Sequence, residues 1–262
     1  MSDVVLLERI GAVGKITLNR PDVGNAIDIR LARALMEMVV SCEQDEGVRC
    51  VVITGSGRLF CAGGDVSAFA DSADELPTHL SEITTYVHAA VSRLMRMPKP
   101  VITAINGPVA GAGIGLALVG DIALASSVAH FTLAYTAIGM SPDGGATWLL
   151  PRLVGLRRAQ ELCLRNERVS AQQAMAMGMV SRVVDEAVLE EQTTLIAEEL
   201  ASGATSALGA TRRLLLDGMT ATLEAHLEAE SRSIIAQGRS PNGKEGIAAF
   251  IAKRQPRFVA GR

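Results

Sequence analysis

Val101-Ile102-Thr103-Ala104-Ile105-Asn106-Gly107-Pro108-Val109-Ala110-Gly111-Ala112-Gly113 is a short apolar run that breaks into a loop of small residues. An unbroken apolar run too short for a helix, bounded by turn residues, predicts a strand buried on both faces. The same pattern stands upstream, where Val51-Val52-Ile53 ends at Gly55-Ser56-Gly57 and leads into Leu59-Phe60-Cys61-Ala62-Gly63-Gly64-Asp65. Between the two runs, Leu80, Ile83, Val87, Val91 and Leu94 recur at helical spacing and predict a helix over residues 78–97, stopped by Pro98 and Pro100. Repeated strand–loop–helix units predict an α/β fold with a mostly parallel sheet.

Towards the N-terminus, alternation predicts strands over residues 4–10 and 15–18, joined by a turn at 11–14. Asp28 is placed to cap a helix whose apolar face holds Leu31, Leu35, Met38 and Val39. Beyond about residue 185 the strand signal fades, and residues 186–202, 204–216, 220–237 and 243–253 read as helices with Ser-Gly or Ser-Pro breaks. The expected organisation is a core over residues 1–200 and a helical region over 201–262, too slight for a core of its own and suited to oligomer contacts.

The composition excludes several function classes. A net charge of −3 and the lack of a basic run leave no electrostatic footprint for nucleic acid. Cys42, Cys50, Cys61 and Cys163 show no CxxC spacing, which predicts reduced thiols in a cytoplasmic protein without a metal site. Met1-Ser2-Asp3-Val4 has no basic n-region and implies no secretion. Residues 101–125 are not a membrane span: Asn106 and Asp121 bracket fourteen uncharged residues interrupted by Pro108, against the roughly 20 apolar residues a span needs.

Chemistry concentrates in three places. The loops 59–65 and 106–113 follow strand ends, where small residues let backbone N–H groups approach a ligand. Asp143, in Gly139-Met140-Ser141-Pro142-Asp143-Gly144-Gly145, is a carboxylate with no evident second acid or base beside it. A lone carboxylate near an anion-stabilising pocket suits moving a proton on carbon better than adding water. A dinucleotide site fits poorly, because Gly111-Ala-Gly113-Ile-Gly115 lacks the GxGxxG spacing.

Taken together, Phe60-Cys61-Ala62-Gly63-Gly64-Asp65, Ala104-Ile105-Asn106-Gly107 with Gly111-Ala112-Gly113, and Asp121-Ile122-Ala123 resemble the crotonase (enoyl-CoA hydratase/isomerase) superfamily. The likeness runs from Asn19-Arg20-Pro21 and Asn25-Ala26 to Glu245-Gly246-Ile247-Ala248-Ala249-Phe250, nearly the whole chain. It implies a ββα-spiral core, a C-terminal helical trimerisation region, often a dimer of trimers, an acyl-CoA thioester substrate, and no metal or redox cofactor.

Carried over by residue, the resemblance puts the oxyanion-hole donors at the Gly64 and Ala112 amides. It puts the CoA path at Ala62, Asp65 and Val66, with Phe250 and Lys253 reaching CoA, sometimes across a subunit boundary. Ser67 stands where some hydratases carry a lysine. The two catalytic glutamates of the hydratases would fall on Gly115 and Tyr135, neither of which can serve as that base.

Asp143 matches the single acid of several Δ3,Δ2-enoyl-CoA isomerases, and Ser141–Arg152 with Gly238-Arg239-Ser240-Pro241 looks most like the ring-1,2-epoxyphenylacetyl-CoA isomerase group. The activity implied is an enoyl-CoA isomerase. Three alternatives stand beside it: an atypical hydratase, an aryl-CoA dehalogenase in which Asp143 is the nucleophile and His88 activates water, and a non-catalytic acyl-CoA-binding scaffold. His88 and Tyr135 are expected at the substrate pocket.

Overall fold

The computed structural model describes residues 4–71 and 75–259. Strands β1 (Val5–Ile10) and β2 (Val13–Leu18) form an antiparallel hairpin in which Ile10 pairs with Val13. The turn is therefore two residues shorter at its far end than the sequence suggests, because Val13 and Gly14 already pair with β1. Helix α1 (Ile29–Gln44) follows, and the Asp28 carboxylate accepts the Leu31 amide proton as its cap.

Strand β3 (Cys50–Gly55) leads through the 56–65 loop to α2 (Val66–Asp71) and α3 (Leu76–Arg96). Then come β4 (Val101–Ile105), β5 (Val109–Ala110), α4 (Gly113–Leu118), β6 (Ile122–Ser126) and β7 (His130–Thr132). The chain continues through α5 (Ala146–Val154), α6 (Leu156–Arg165), β8 (Val169–Ser170), α7 (Ala171–Ala176) and β9 (Arg182–Val184). It ends in α8 (Leu189–Ser202), α9 (Thr205–Gly218), α10 (Leu223–Arg239) and α11 (Pro241–Ile251).

The main sheet has the order β1-β2-β3-β4-β6-β9 and is parallel from β2 onward. A smaller sheet, β5-β7-β8, lies beside it. Side-chain alternation explains why β3 and β4 are apolar throughout. Val51, Ile53, Val101 and Ile105 point to one core with α1, α3 and α4. Cys50, Val52, Ile102 and Ala104 point to the opposite core, closed by Leu189, Ile196, Ala197 and Ala201 of α8. Each fully buried Val, Leu or Ile stabilises the fold by about 1.5–3 kcal/mol, so both faces of these strands must stay covered.

Helix α3 buries Ile83, Val87, Ala90, Val91 and Leu94 against α1 and the sheet, with its last turn ending before Pro98. Helix α9 is fastened to this body by Arg212, which donates to the Leu94, Met97 and Lys99 carbonyls and pairs with Asp121 at 2.5 Å. No described helix is long and apolar enough to cross a membrane.

Candidate active site

The 56–65 loop is held from below by Asn25, whose side chain is wholly buried. Its Oδ1 accepts the Arg20 amide proton at 2.8 Å, and its Nδ2 donates to the Ser56 and Leu59 carbonyls at 2.9 and 2.8 Å. A short bridge then fixes the far end of the loop. The Ile27 amide donates to the Gly63 carbonyl at 2.7 Å, and the Asp65 amide donates to the Ile27 carbonyl at 3.0 Å. Both bonds belong to the neighbours of Gly64, so the Gly64 amide itself donates to no acceptor among the described residues.

The loop after β4 meets this one edge to edge. The Ala110 amide donates to the Cys61 carbonyl at 2.9 Å. Gly63 has φ +96°, and a Cβ there would come within 2.9 Å of the Ala110 carbonyl oxygen, so glycine is required for the two loops to touch. The Ala112 amide, at the start of α4, is likewise without an acceptor among the described residues. Two unused backbone donors therefore lie at the join between the loops, free to donate to a bound ligand.

Asp143 arrives from a different direction. The turn 143–145 carries left-handed Gly144 and Gly145 and rests on α4 at Gly115. The Asp143 carbonyl caps α5 by accepting the Ala146 amide proton at 3.0 Å. Its carboxylate is not solitary, and here the structure corrects the sequence expectation. The Tyr135 hydroxyl donates to Oδ1 at 2.6 Å, and His88 Nε2 stands 3.5 Å from Oδ2. Tyr135 precedes a short 3-10 turn and His88 lies on α3, so only the tertiary fold brings the three together. His88 Nε2 also accepts the Gly144 amide proton at 3.2 Å. Burial, then the Asp143 charge and its hydrogen bond, push the Tyr135 phenol far above its ordinary range, so Tyr135 stays a proton donor at neutral pH.

One cavity of about 320 Å³ joins these parts: Gly64, Ala112, Tyr135 and Asp143 share its wall with Ala62 and Val66. Its lining also includes the apolar side chains of Phe69, Leu80, Ile83, Val87 and Met140. His88, expected at the substrate pocket, is not part of this wall: it stands 3.5 Å from Asp143 Oδ2 with half of its side chain in solvent. Asp65 turns its carboxylate inward, onto Arg20 at 3.0 Å and the Ala68 amide at 3.3 Å. Phe250 is 85% exposed on α11, and Lys253 follows that helix; neither borders the cavity.

Arg20 is the site residue whose role sequence patterns did not disclose. Its guanidinium donates to the Ala26 carbonyl at 2.5 Å, bridges Asp65 and Asp28, and thereby ties the start of α1 to the residue after Gly64. An arginine before a proline, 45 residues from its partner Asp65, carries no local signal of that pairing. Among the described residues no group of His, Cys, Asp and Glu converges as a metal site would. The cysteines are free, and burial pushes the Cys42 thiol up to about 11 and those of Cys50 and Cys61 to about 12, so these three are unreactive packing groups.

Residues 8–261 match the family model described as enoyl-CoA hydratase/isomerase. The 1,2-epoxyphenylacetyl-CoA isomerase of Escherichia coli K12 is 38% identical, over 99% of either chain. The 4-chlorobenzoyl coenzyme A dehalogenase-2 of an Arthrobacter species is 34% identical over 95% of this chain and 91% of its own. The crystal structure of an enoyl-CoA hydratase from Polaromonas sp. JS666 superposes with a TM-score of 0.93 at 33% identity, covering 97% of this chain and 99% of that one. On sequence, fold and the two-loop arrangement alike, the chain belongs to the enoyl-CoA hydratase/isomerase family of the crotonase superfamily.

Proposed function

We propose that the protein is an acyl-CoA isomerase that shifts a double bond, or rearranges a ring, through an enolate of the bound thioester. The observation that carries this reading is the shared cavity lined by one carboxylate, Asp143, and by Gly64 and Ala112, whose backbone donors have no acceptor among the described residues. With the thioester oxygen at the two amides, Asp143 removes a proton from the carbon chain. The electron pair moves onto the oxygen, and the amides stabilise the resulting dienolate. One such donor is worth about 2.7–4 kcal/mol in related acyl chemistry. Asp143 then returns a proton two carbons away, and the cycle closes without net gain or loss of atoms. It requires no metal or redox cofactor.

Hydration is the weaker reading. A Cβ at Gly115, where the resemblance puts a hydratase glutamate, would meet the Gly144 carbonyl oxygen at 2.0 Å. The Tyr135 hydroxyl is committed to Asp143. A second reading has a specific observation in its favour: His88 beside Asp143 resembles what an aryl-CoA dehalogenase needs to hydrolyse an ester on the aspartate. Against it, the cavity wall offers Phe69 and Tyr135 as its aromatic side chains, a sparse grip for an aryl ring.

The assembly proposed is a homotrimer or dimer of trimers. Its support is the apolar surface left bare on α10 and α11, including Leu223, Ile234, Phe250 and Ile251. The exposure of Phe250 and Lys253 suits contact with CoA held by a neighbouring subunit. The deciding experiment follows double-bond migration in a 3-enoyl-CoA. Asp143→Asn is expected to slow it by about 10²–10⁴-fold while thioester binding persists. Halide release from a haloaroyl-CoA, or migration undiminished in Asp143→Asn, overturns the assignment.

A further inference from the structure

The two oxygens of Asp143 have unequal surroundings. Oδ1 is occupied by the Tyr135 hydroxyl at 2.6 Å. Oδ2 receives no hydrogen bond among the described residues, and His88 Nε2 stands 3.5 Å from it. That nitrogen accepts the Gly144 amide proton at 3.2 Å, so as it stands it carries a lone pair and not a proton. The His88 side chain is 51% exposed, whereas that of Asp143 is 29% exposed. The imidazole beside Oδ2 is thus the more solvent-exposed of the two side chains.

We infer that Oδ2 is the oxygen that carries substrate protons and that His88 is its outlet to solvent, a relay residue acting through Asp143. This rests on the isomerase reading above. After abstraction, the proton sits on Oδ2. The gap to Nε2 must close by about 0.5 Å to come within proton-transfer reach. The O–H bond then breaks, an N–H bond forms at Nε2, and Asp143 is again a carboxylate beside an imidazolium. In the same step the Gly144 amide loses its acceptor, which favours return of the proton and keeps the charged state brief. While it lasts, the half-exposed imidazolium exchanges that proton with water and hands a solvent proton back to Oδ2. Tyr135 cannot substitute for His88 as outlet, because its proton is already engaged on the other oxygen.

On this route solvent hydrogen enters the isomerised product by way of His88. The test is isomerisation of a 3-enoyl-CoA by the full-length protein in deuterated water, with deuterium per product molecule measured by mass spectrometry at low conversion. His88→Gln offers Gly144 an amide oxygen but cannot carry a proton at neutral pH. Whatever its turnover, deuterium per product should fall by about fivefold or more relative to wild type. His88→Ala, which leaves the Gly144 amide bare, should show the same loss. Equal labelling by wild type and both variants overturns the inference, as does wild-type migration without any solvent deuterium, and either leaves the isomerase reading standing. A wild type that shifts no double bond overturns that reading and this one with it.

Discussion

The Cβ that Gly115 lacks would lie 2.0 Å from the carbonyl oxygen of Gly144. The turn that presents Asp143 is seated directly on α4, and its height above that helix is set by a missing side chain. Gly115→Ala should lift the 143–145 turn and misplace the carboxylate. An overpacked site of this kind costs about 1–3 kcal/mol, readable by denaturant unfolding, with a larger relative loss of double-bond migration. Gly115→Glu should not restore hydration, because the space a glutamate would use is filled by backbone.

Tyr135→Phe removes the donor on Asp143 Oδ1. Hydrogen bonds to charged groups contribute about 1.5–3 kcal/mol, and a drop in isomerisation of corresponding size is expected, measured as kcat/KM on the 3-enoyl-CoA. Stability should respond to alkali with a definite sign. An unfolded tyrosine ionises near pH 10, while burial and Asp143 keep the folded phenol protonated well above that. The unfolded state therefore releases the proton first, so stability is full below about pH 10 and declines as pH rises past it. Tyr135→Phe should flatten that decline.

Arg20 sits between Asp28 and Asp65 with 13% of its side chain exposed. Replacing it with alanine leaves Asp65 without its cation, while Asp28 keeps Arg30 at 2.9 Å and the Leu31 amide; removing one partner of a buried pair costs about 3–5 kcal/mol. Arg20→Ala should also release the residue after Gly64 and weaken the oxyanion contact, seen as a lower kcat for migration. Acid sensitivity gives an independent check. Burial alone would raise the Asp28 carboxyl, but the Leu31 amide, Arg30 and Arg20 outweigh it and hold it below the usual carboxylate range. Its contribution is present above about pH 4 and is lost as pH falls through the lowered value, so Arg20→Ala should show a shallower acid limb than wild type.

The bare apolar side chains of α10 and α11 predict self-association. Ile234 is 71% exposed and Ile251 76% exposed, and burying each in an interface would contribute up to about 1.5–3 kcal/mol. Ile234→Glu or Ile251→Glu should shift the sedimentation profile towards the monomer. An unchanged profile in both would exclude these faces from the contact.

Much of this architecture is legible in the sequence where patterns are long or chemically blunt. The runs at 51–53 and 101–105 mark strands because both of their faces are buried, and the helix carrying Leu80 to Leu94 repeats its apolar spacing over about four turns. Asp28 is legible as a cap because the cap is local. The smaller sheet is not legible: β5 and β8 have two residues each, too few for a period. The site divides in the same way. Loops with glycine announce close backbone approach, and Asp143 stands out in a Pro-Asp-Gly-Gly turn. Its company with Tyr135 and His88, and the hold of Arg20 on Asp65, depend on crossings between distant elements that leave no mark in any one segment.

Arg212 reaches from α9 to three carbonyls at and just beyond the end of α3 and to Asp121, and Arg49, just before β3, reaches the Gly203 and Phe258 carbonyls and the Thr205 hydroxyl. The terminal helices are thus not a cassette that recombination can trade among relatives. A chimera spliced near residue 203 inherits two guanidinium groups from different parents, and it folds as either parent does only if both bring the carbonyls those arginines were shaped to meet.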